Sequence, residues 1–149
     1  MQARRVRYGW TLRLDPGEDV VESLSAFAAR EGVRAGFITG LGAVGEVELG
    51  YFARESRLYE RRRFDGEYEI GALTGNFSEL DGRAFPHCHL VIAGADFVAY
   101  TGHLFRARVT VTCEIQIVTD PEAQRRVHRP DLGFNPLDLE PPRRSNARG

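Results

Sequence analysis

The chain has no lysine: all 20 of its basic residues are arginine. That usage fits a GC-rich coding bias, a thermophilic source or a preference for bidentate ion pairs, because the guanidinium fork matches a carboxylate where an ammonium does not. Cysteine is almost as scarce. The two present, Cys88 and Cys113, sit within strand-like segments, and no disulfide framework is available. No stretch approaches the roughly 20 apolar residues of a membrane span, and Met1 to Trp10 carries three arginines without an apolar run, so no secretory signal is visible. A cytoplasmic protein is expected. The formal charge of -1 gives no general attraction to nucleic acid or to an anionic membrane. With 42% apolar and 28% charged residues, the 149-residue chain is long and apolar enough to bury a core.

Against these scarcities one stretch concentrates the chemistry: Phe85-Pro86-His87-Cys88-His89-Leu90-Val91-Ile92-Ala93, followed by Phe97 to Phe105. Side chains alternate along a strand, so His87 and His89 share a face while Cys88 points to the other and packs. Gly94-Ala95-Asp96 reads as a tight turn that makes the next strand antiparallel. If Ala93 pairs with Phe97, His103 lies directly opposite His87 and diagonal to His89, on the same face. Directly opposed Cβ atoms sit roughly 5 Å apart and diagonal ones about 7–8 Å. Three imidazoles at that spacing suit a divalent metal with one open position. A slip of one residue at the turn would send His103 to the other face. The fourth histidine, His128, lies between Arg126 and Arg129 and reads as a solvent-exposed side chain.

Along the rest of the chain, Val6, Tyr8, Trp10, Leu12 and Leu14 alternate with Arg5, Arg7, Thr11 and Arg13, predicting one half-buried strand over 6–14. Pro16 and Gly17 end it. A helix over 18–31 follows, with acidic residues at its start, an apolar stripe of Val20, Val21, Leu24, Phe27 and Ala28, and Gly32 as its stop. Gly36 to Gly45 holds four glycines. It reads as a strand entering a close-packed turn, because Gly40-Leu41-Gly42 lacks the third glycine of a dinucleotide fingerprint. Further strands are expected over 46–52, 57–64 and 68–77, with Asp65-Gly66 and Asp81-Gly82 as hairpin turns. Arg61-Arg62-Arg63 reads as a solvated, ion-paired edge with Glu60, Glu67 and Glu69 as partners. A last strand covers 108–118, with Val109, Val111, Cys113, Ile115 and Ile117 on one face.

The sum is an α+β domain over 1–120, a mainly antiparallel sheet packed with one main helix. Residues 121–149 form a proline-rich C-terminal extension, with Leu132 to Leu139 docked on the domain and 140–149 disordered. One helix does not cover about seven strands on both faces. The histidine hairpin is apolar on both of its faces, so a homo-oligomer is expected.

Taken in order, Leu14-Asp15-Pro16-Gly17-Glu18-Asp19-Val20, Gly40-Leu41-Gly42-Ala43-Val44, Tyr68-Glu69-Ile70, Leu73-Thr74-Gly75-Asn76, Pro86-His87-Cys88-His89, Gly102-His103-Leu104 and Val109 to Glu114 resemble the plant and prokaryote conserved (PPC) domain. The resemblance covers about residues 6–118, with Leu132 to Leu139 similar to the family's closing segment. It implies a curved antiparallel sheet on a helix, a fold similar to acetolactate decarboxylase, assembled as a homotrimer. It implies a metal site on His87, His89 and His103, with zinc the usual ion. Plant members join this domain to AT-hook segments that bind DNA and act in transcription. This chain has no Arg-Gly-Arg-Pro core, so it resembles a bacterial stand-alone member, and DNA is a partner supported by the family more than by the residues.

Two function classes follow. One is a DNA-associated regulatory binding module with a zinc centre. The other is a small metalloenzyme of lyase or hydrolase type, using the open position as Lewis acid or hydroxide source. Catalysis of that kind asks for a carboxylate near the metal as general base. Glu69 is the candidate, with Glu114 as alternative unless Arg106 or Arg108 pairs with it.

Overall fold

A computed structural model describes residues 1–139. The expected disorder of 140–149 lies outside the described residues. The one helix among the described residues, α1 (Val20–Glu31), starts where Asp19, in extended conformation, accepts hydrogen bonds from the amides of Val21 and Glu22 at 2.9 and 3.0 Å. This satisfies two of the amides that the first turn leaves without partners. Gly32 ends it in the left-handed conformation (φ 68°), as its lack of a Cβ permits. Val20, Leu24, Phe27 and Ala28 form its buried face. Of the expected stripe only Val21 stays half-exposed.

The strands are β1 (Gln2–Val6), β2 (Gly9–Leu14), β3 (Gly36–Ala53), β4 (Leu58–Phe64), β5 (Tyr68–Leu80), β6 (Arg83–Ala93), β7 (Ala99–Thr119), β8 (Arg125–Arg126) and β9 (Leu137–Asp138). Apart from the parallel contact of β8 with β5, every pairing is antiparallel. The spine is β3. One of its edges takes β7 from Gly36↔Thr119 to Gly50↔His103, and the other takes β5 and then β4. Because β6 pairs with both β5 and β7, the strands β3, β5, β6 and β7 close into a circuit. The helix packs on β6 and β7. Beneath it, Leu73, Phe77, Leu90, Ile92, Ile115 and Ile117 form one buried cluster with the helix residues.

Several expectations are corrected here. Residues 6–14 are not one strand: the chain turns at Arg7 and Tyr8, and β1 pairs back on β2. Alternation alone does not reveal that turn, and it leaves Tyr8 65% exposed. The glycine-rich segment does not turn either, because β3 runs through it with a bulge near Gly40 and Gly42. The close-packing reading stands, since a Cβ on Gly42 would lie 2.1 Å from the Thr112 carbonyl oxygen. Asp65-Gly66 does not close a hairpin. It is a jog between β4, which ends beside Val47, and β5, which begins beside Val44, on the same edge of β3. Val111, expected on one face with Val109 and Cys113, is exposed while they are buried, at the point where the β3–β7 register shifts.

Arg61 and Arg63 do pair with a carboxylate, but it is Glu48 of β3 (3.0 and 3.3 Å) and not the expected neighbours. Arg62 turns to the rings of Phe64 and Tyr100. The segment after β7 adds β8 beside Glu79 of β5, and β9 pairs on β8. No helix among the described residues is long and apolar enough to cross a membrane.

Candidate metal centre

Strand β6 sorts its side chains as alternation requires. Cys88, Leu90 and Ile92 point into the core, and His87, His89 and Val91 point outward. The connection to β7 is longer than the three-residue turn expected. Phe97 donates its amide to the Gly94 carbonyl, Val98 donates to the Asp96 carboxylate, and pairing resumes at Ala93↔Ala99. His103 therefore faces His89 directly and lies diagonal to His87, the reverse of the expected assignment. The shift is by two residues, an even number, so the face is preserved. The three histidines converge, with one nitrogen of each within 4.8 Å of the others. Ring centroids are 4.9 Å apart for His87–His103, 5.4 Å for His87–His89 and 5.7 Å for His89–His103. Around an ion at 2.0–2.1 Å, tetrahedral nitrogens stand about 3.4 Å apart. Small side-chain rotations span that difference.

The surroundings hold two of these rings. His103 is flanked by Tyr59 of β4 at 4.9 Å and by Phe105 at 4.7 Å, and Arg61 stacks on the far ring at 3.7 Å. Gly50, opposite His103 on β3, makes room for this stack: a Cβ there would meet Phe105 at 2.5 Å and Tyr59 at 2.9 Å. Burial, followed by the positive charge of Arg126, pushes His87 down to about 4. Burial, with the charges of His89, Arg126 and Arg61 after it, does the same to His103. Both are neutral at pH 7, the form that ligates a metal. Nδ1 of His103 is buried and has no hydrogen-bond partner. An orphaned ring nitrogen beside two other imidazoles fits a bound ion, so the residues present match the group the sequence implies. Burial raises Cys88 and Cys113 to about 12, so both remain protonated thiols, consistent with packing.

The other sequence candidates lie elsewhere. Glu69 sits opposite Ala93, four positions along β6 from His89 or about 13 Å at 3.3 Å per residue, and the three-histidine group contains no carboxylate. Glu114 pairs in register with Arg13 and Leu41, while Arg106 and Arg108 bond instead to Glu46. His128 is exposed and bonds to Asn135. Sequence reasoning passed over Arg126. Its guanidinium donates to Ser78 Oγ (2.8 Å), the Asn135 carbonyl oxygen (3.0 Å) and Asn76 Oδ1 (2.8 Å), and burial lowers its pKa. Asn76 lies opposite His87, which brings Arg126 to the centre's edge. Nothing in the local sequence distinguishes Arg126 from its neighbour Arg125. Between the centre and the 121–139 segment lies a cavity of about 390 Å³, walled by Tyr59, Phe85, Phe105 and Phe134 and reached by His87, His103 and Arg126.

The sequence profile of the Plants and Prokaryotes Conserved (PCC) domain matches residues 1–120. A protein of Bacteroides thetaiotaomicron thought to bind DNA superposes with a TM-score of 0.89 at 29% identity, over 92% of this chain and 96% of that one. A metal-containing protein of Archaeoglobus fulgidus gives 0.81 at 31% identity, over 92% and 99%. The α-acetolactate decarboxylase of Bacillus subtilis shares the fold, with a TM-score of 0.54 at 16% identity over 89% of this chain and 60% of the enzyme. Among curated proteins, a bifunctional GlmU protein of a Synechococcus strain is 31% identical over 130 residues, 87% of this chain. The chain spans about one fifth of the length of the curated relatives it matches.

Proposed function

Because the chain belongs to the Plants and Prokaryotes Conserved domain family, we propose that it is a homotrimeric, zinc-binding member with a DNA-associated regulatory role. His87, His89 and His103 hold the ion, or a similar divalent metal. The observation that carries the metal is the buried, unpartnered Nδ1 of His103 within a group of converging imidazoles. The metal-containing relative from Archaeoglobus fulgidus supports it. A bound zinc would supply a Lewis acid with an open position. The protein's own part is to keep two imidazoles neutral and to hold the His103 ring between Tyr59 and Phe105. Metal analysis of untagged protein tests this. One ion per chain is expected, lost in His87→Ala and His103→Ala but retained in His128→Ala. Equal metal in all three variants would remove the assignment.

The homotrimer rests on the outer sheet face, where the paired residues Phe37 and Val118 are 52% and 54% exposed on adjacent strands. Apolar surface of that kind is covered when copies associate. Light scattering should give a mass near three times 16.7 kDa. A monomer would contradict it.

The DNA role is supported by the relative thought to bind DNA. Charge limits its strength. Arg61 and Arg63 are tied to Glu48, and strong salt-dependent binding takes roughly 6–10 phosphate contacts. Random duplex at physiological salt should bind with a Kd weaker than about 10⁻⁶ M. Nanomolar binding to A·T-rich or G·C-rich duplex would show a stronger nucleic-acid site than these arginines supply. One observation favours the second reading, a small metalloenzyme: the cavity opens beside the centre.

A further inference from the structure

Arg126 stands out among the arginines of the described residues. The bonds it makes run to a hydroxyl, an amide oxygen and a backbone carbonyl, all of them neutral acceptors. A guanidinium has five N–H donors, so two remain after those three bonds. The three bonds tie it to two separate parts of the fold: Ser78 and Asn76 on β5, and Asn135 in the closing segment. The group is therefore held rigidly, half-buried and without a carboxylate, where it lines a cavity walled mainly by aromatic rings. Such a site has one fixed positive charge, few polar groups and room for an apolar body, the usual composition of a small-molecule pocket.

We infer that this cavity binds a small monocarboxylic acid, its carboxylate on Arg126 and its apolar body against Phe85, Phe105 and Phe134. A single negative charge balances the single guanidinium. A phosphate dianion would bring a second charge and extra oxygens that the aromatic walls leave unsatisfied. The inference deepens the reading of the metal centre and shares His87 and His103 with it. The anion recognition, however, is carried by Arg126 and needs no ion.

The test is a ligand-observed NMR titration of the full chain with benzoate, benzamide and inorganic phosphate, with zinc content measured on the same preparation. Benzoate is expected to saturate in the millimolar range and to bind at least tenfold more tightly than its neutral isostere benzamide. Arg126→Gln should remove that preference, and Arg126→Lys, which keeps the charge but not the fork, should retain part of it. Equal binding of benzoate and benzamide to the unmutated protein would overturn the inference, and this comparison does not depend on a variant folding. Phosphate binding more tightly than benzoate would also overturn it. Benzoate preference without retained zinc would uphold this inference and overturn the metal reading. Retained zinc without benzoate preference would do the reverse.

Discussion

The two faces of strand β6 differ in every respect except their backbone. Toward the helix, Cys88, Leu90 and Ile92 are at most 2% exposed and belong to one apolar cluster. Toward the outside, His87 and His89 meet His103, and His87 and His103 reach a cavity lined also by Tyr59 and Arg126. The inner face stabilises the domain by removing hydrocarbon from water. The outer face places imidazoles where two of them are driven neutral and one nitrogen is left without a partner. A sheet hydrogen-bonded on a single core thus positions polar groups that contribute little to its stability.

The sharpest test of that division is truncation on each side. Phe77→Ala, at a site with no exposure, should cost about 3–5 kcal/mol in chemical denaturation. His89→Ala, on the exposed side of the same β5–β6 pair, should change the metal-free protein by less than about 0.5 kcal/mol. Comparable losses would mean that the outer face is part of the core.

Next in size is the metal. At a zinc concentration about a hundred times its Kd, binding should add about 2.7 kcal/mol to the wild type, read as a rise in Tm. No rise is expected in His103→Ala. Smaller again is Asp19→Ala at the helix start, which should cost about 1–2 kcal/mol. Besides capping the helix, this carboxylate accepts a hydrogen bond from the Ala107 amide of β7. Metal binding should survive the change, because the hydrogen bonds of the Asp19 carboxylate run to Val21, Glu22 and Ala107 and to none of the three histidines.

The last effect is pH-dependent. His87 and His103 titrate at about 4 when folded, below the ordinary value of 6.5, chiefly through burial. Between those values the unfolded chain takes up protons that the folded chain refuses, so stability falls as pH drops from about 6.5 toward 4. Thermal melts of metal-free protein should show this decline, and His87→Gln/His103→Gln should flatten it. An unchanged slope would place these rings in water.

Much of this was legible before the structure. Capping and periodicity delimited the helix to within two residues at its start, because those signals are local. The pairing of His87 with His89 on one face followed from the strand period alone. What stayed hidden was nonlocal. The Arg7–Tyr8 turn interrupts an alternation that continues on either side of it, and the Asp65-Gly66 jog uses the residues of a reversal without reversing. Arg126 reaches the centre through partners 48 and 50 residues away.

The sequence by itself determined that His87 and His89 share a face, and strand alternation keeps His103 on that face under any even shift in register. It therefore determined that three histidines could meet. Only the tertiary structure decided that His103 stands opposite His89, through the longer Gly94–Val98 connection, and that Glu69 lies about 13 Å along the sheet. It also decided that a solitary guanidinium closes the pocket. The reason is that register and cross-chain hydrogen bonds are selected by the best packing of the whole sheet, a sum over partners that no local stretch of residues contains.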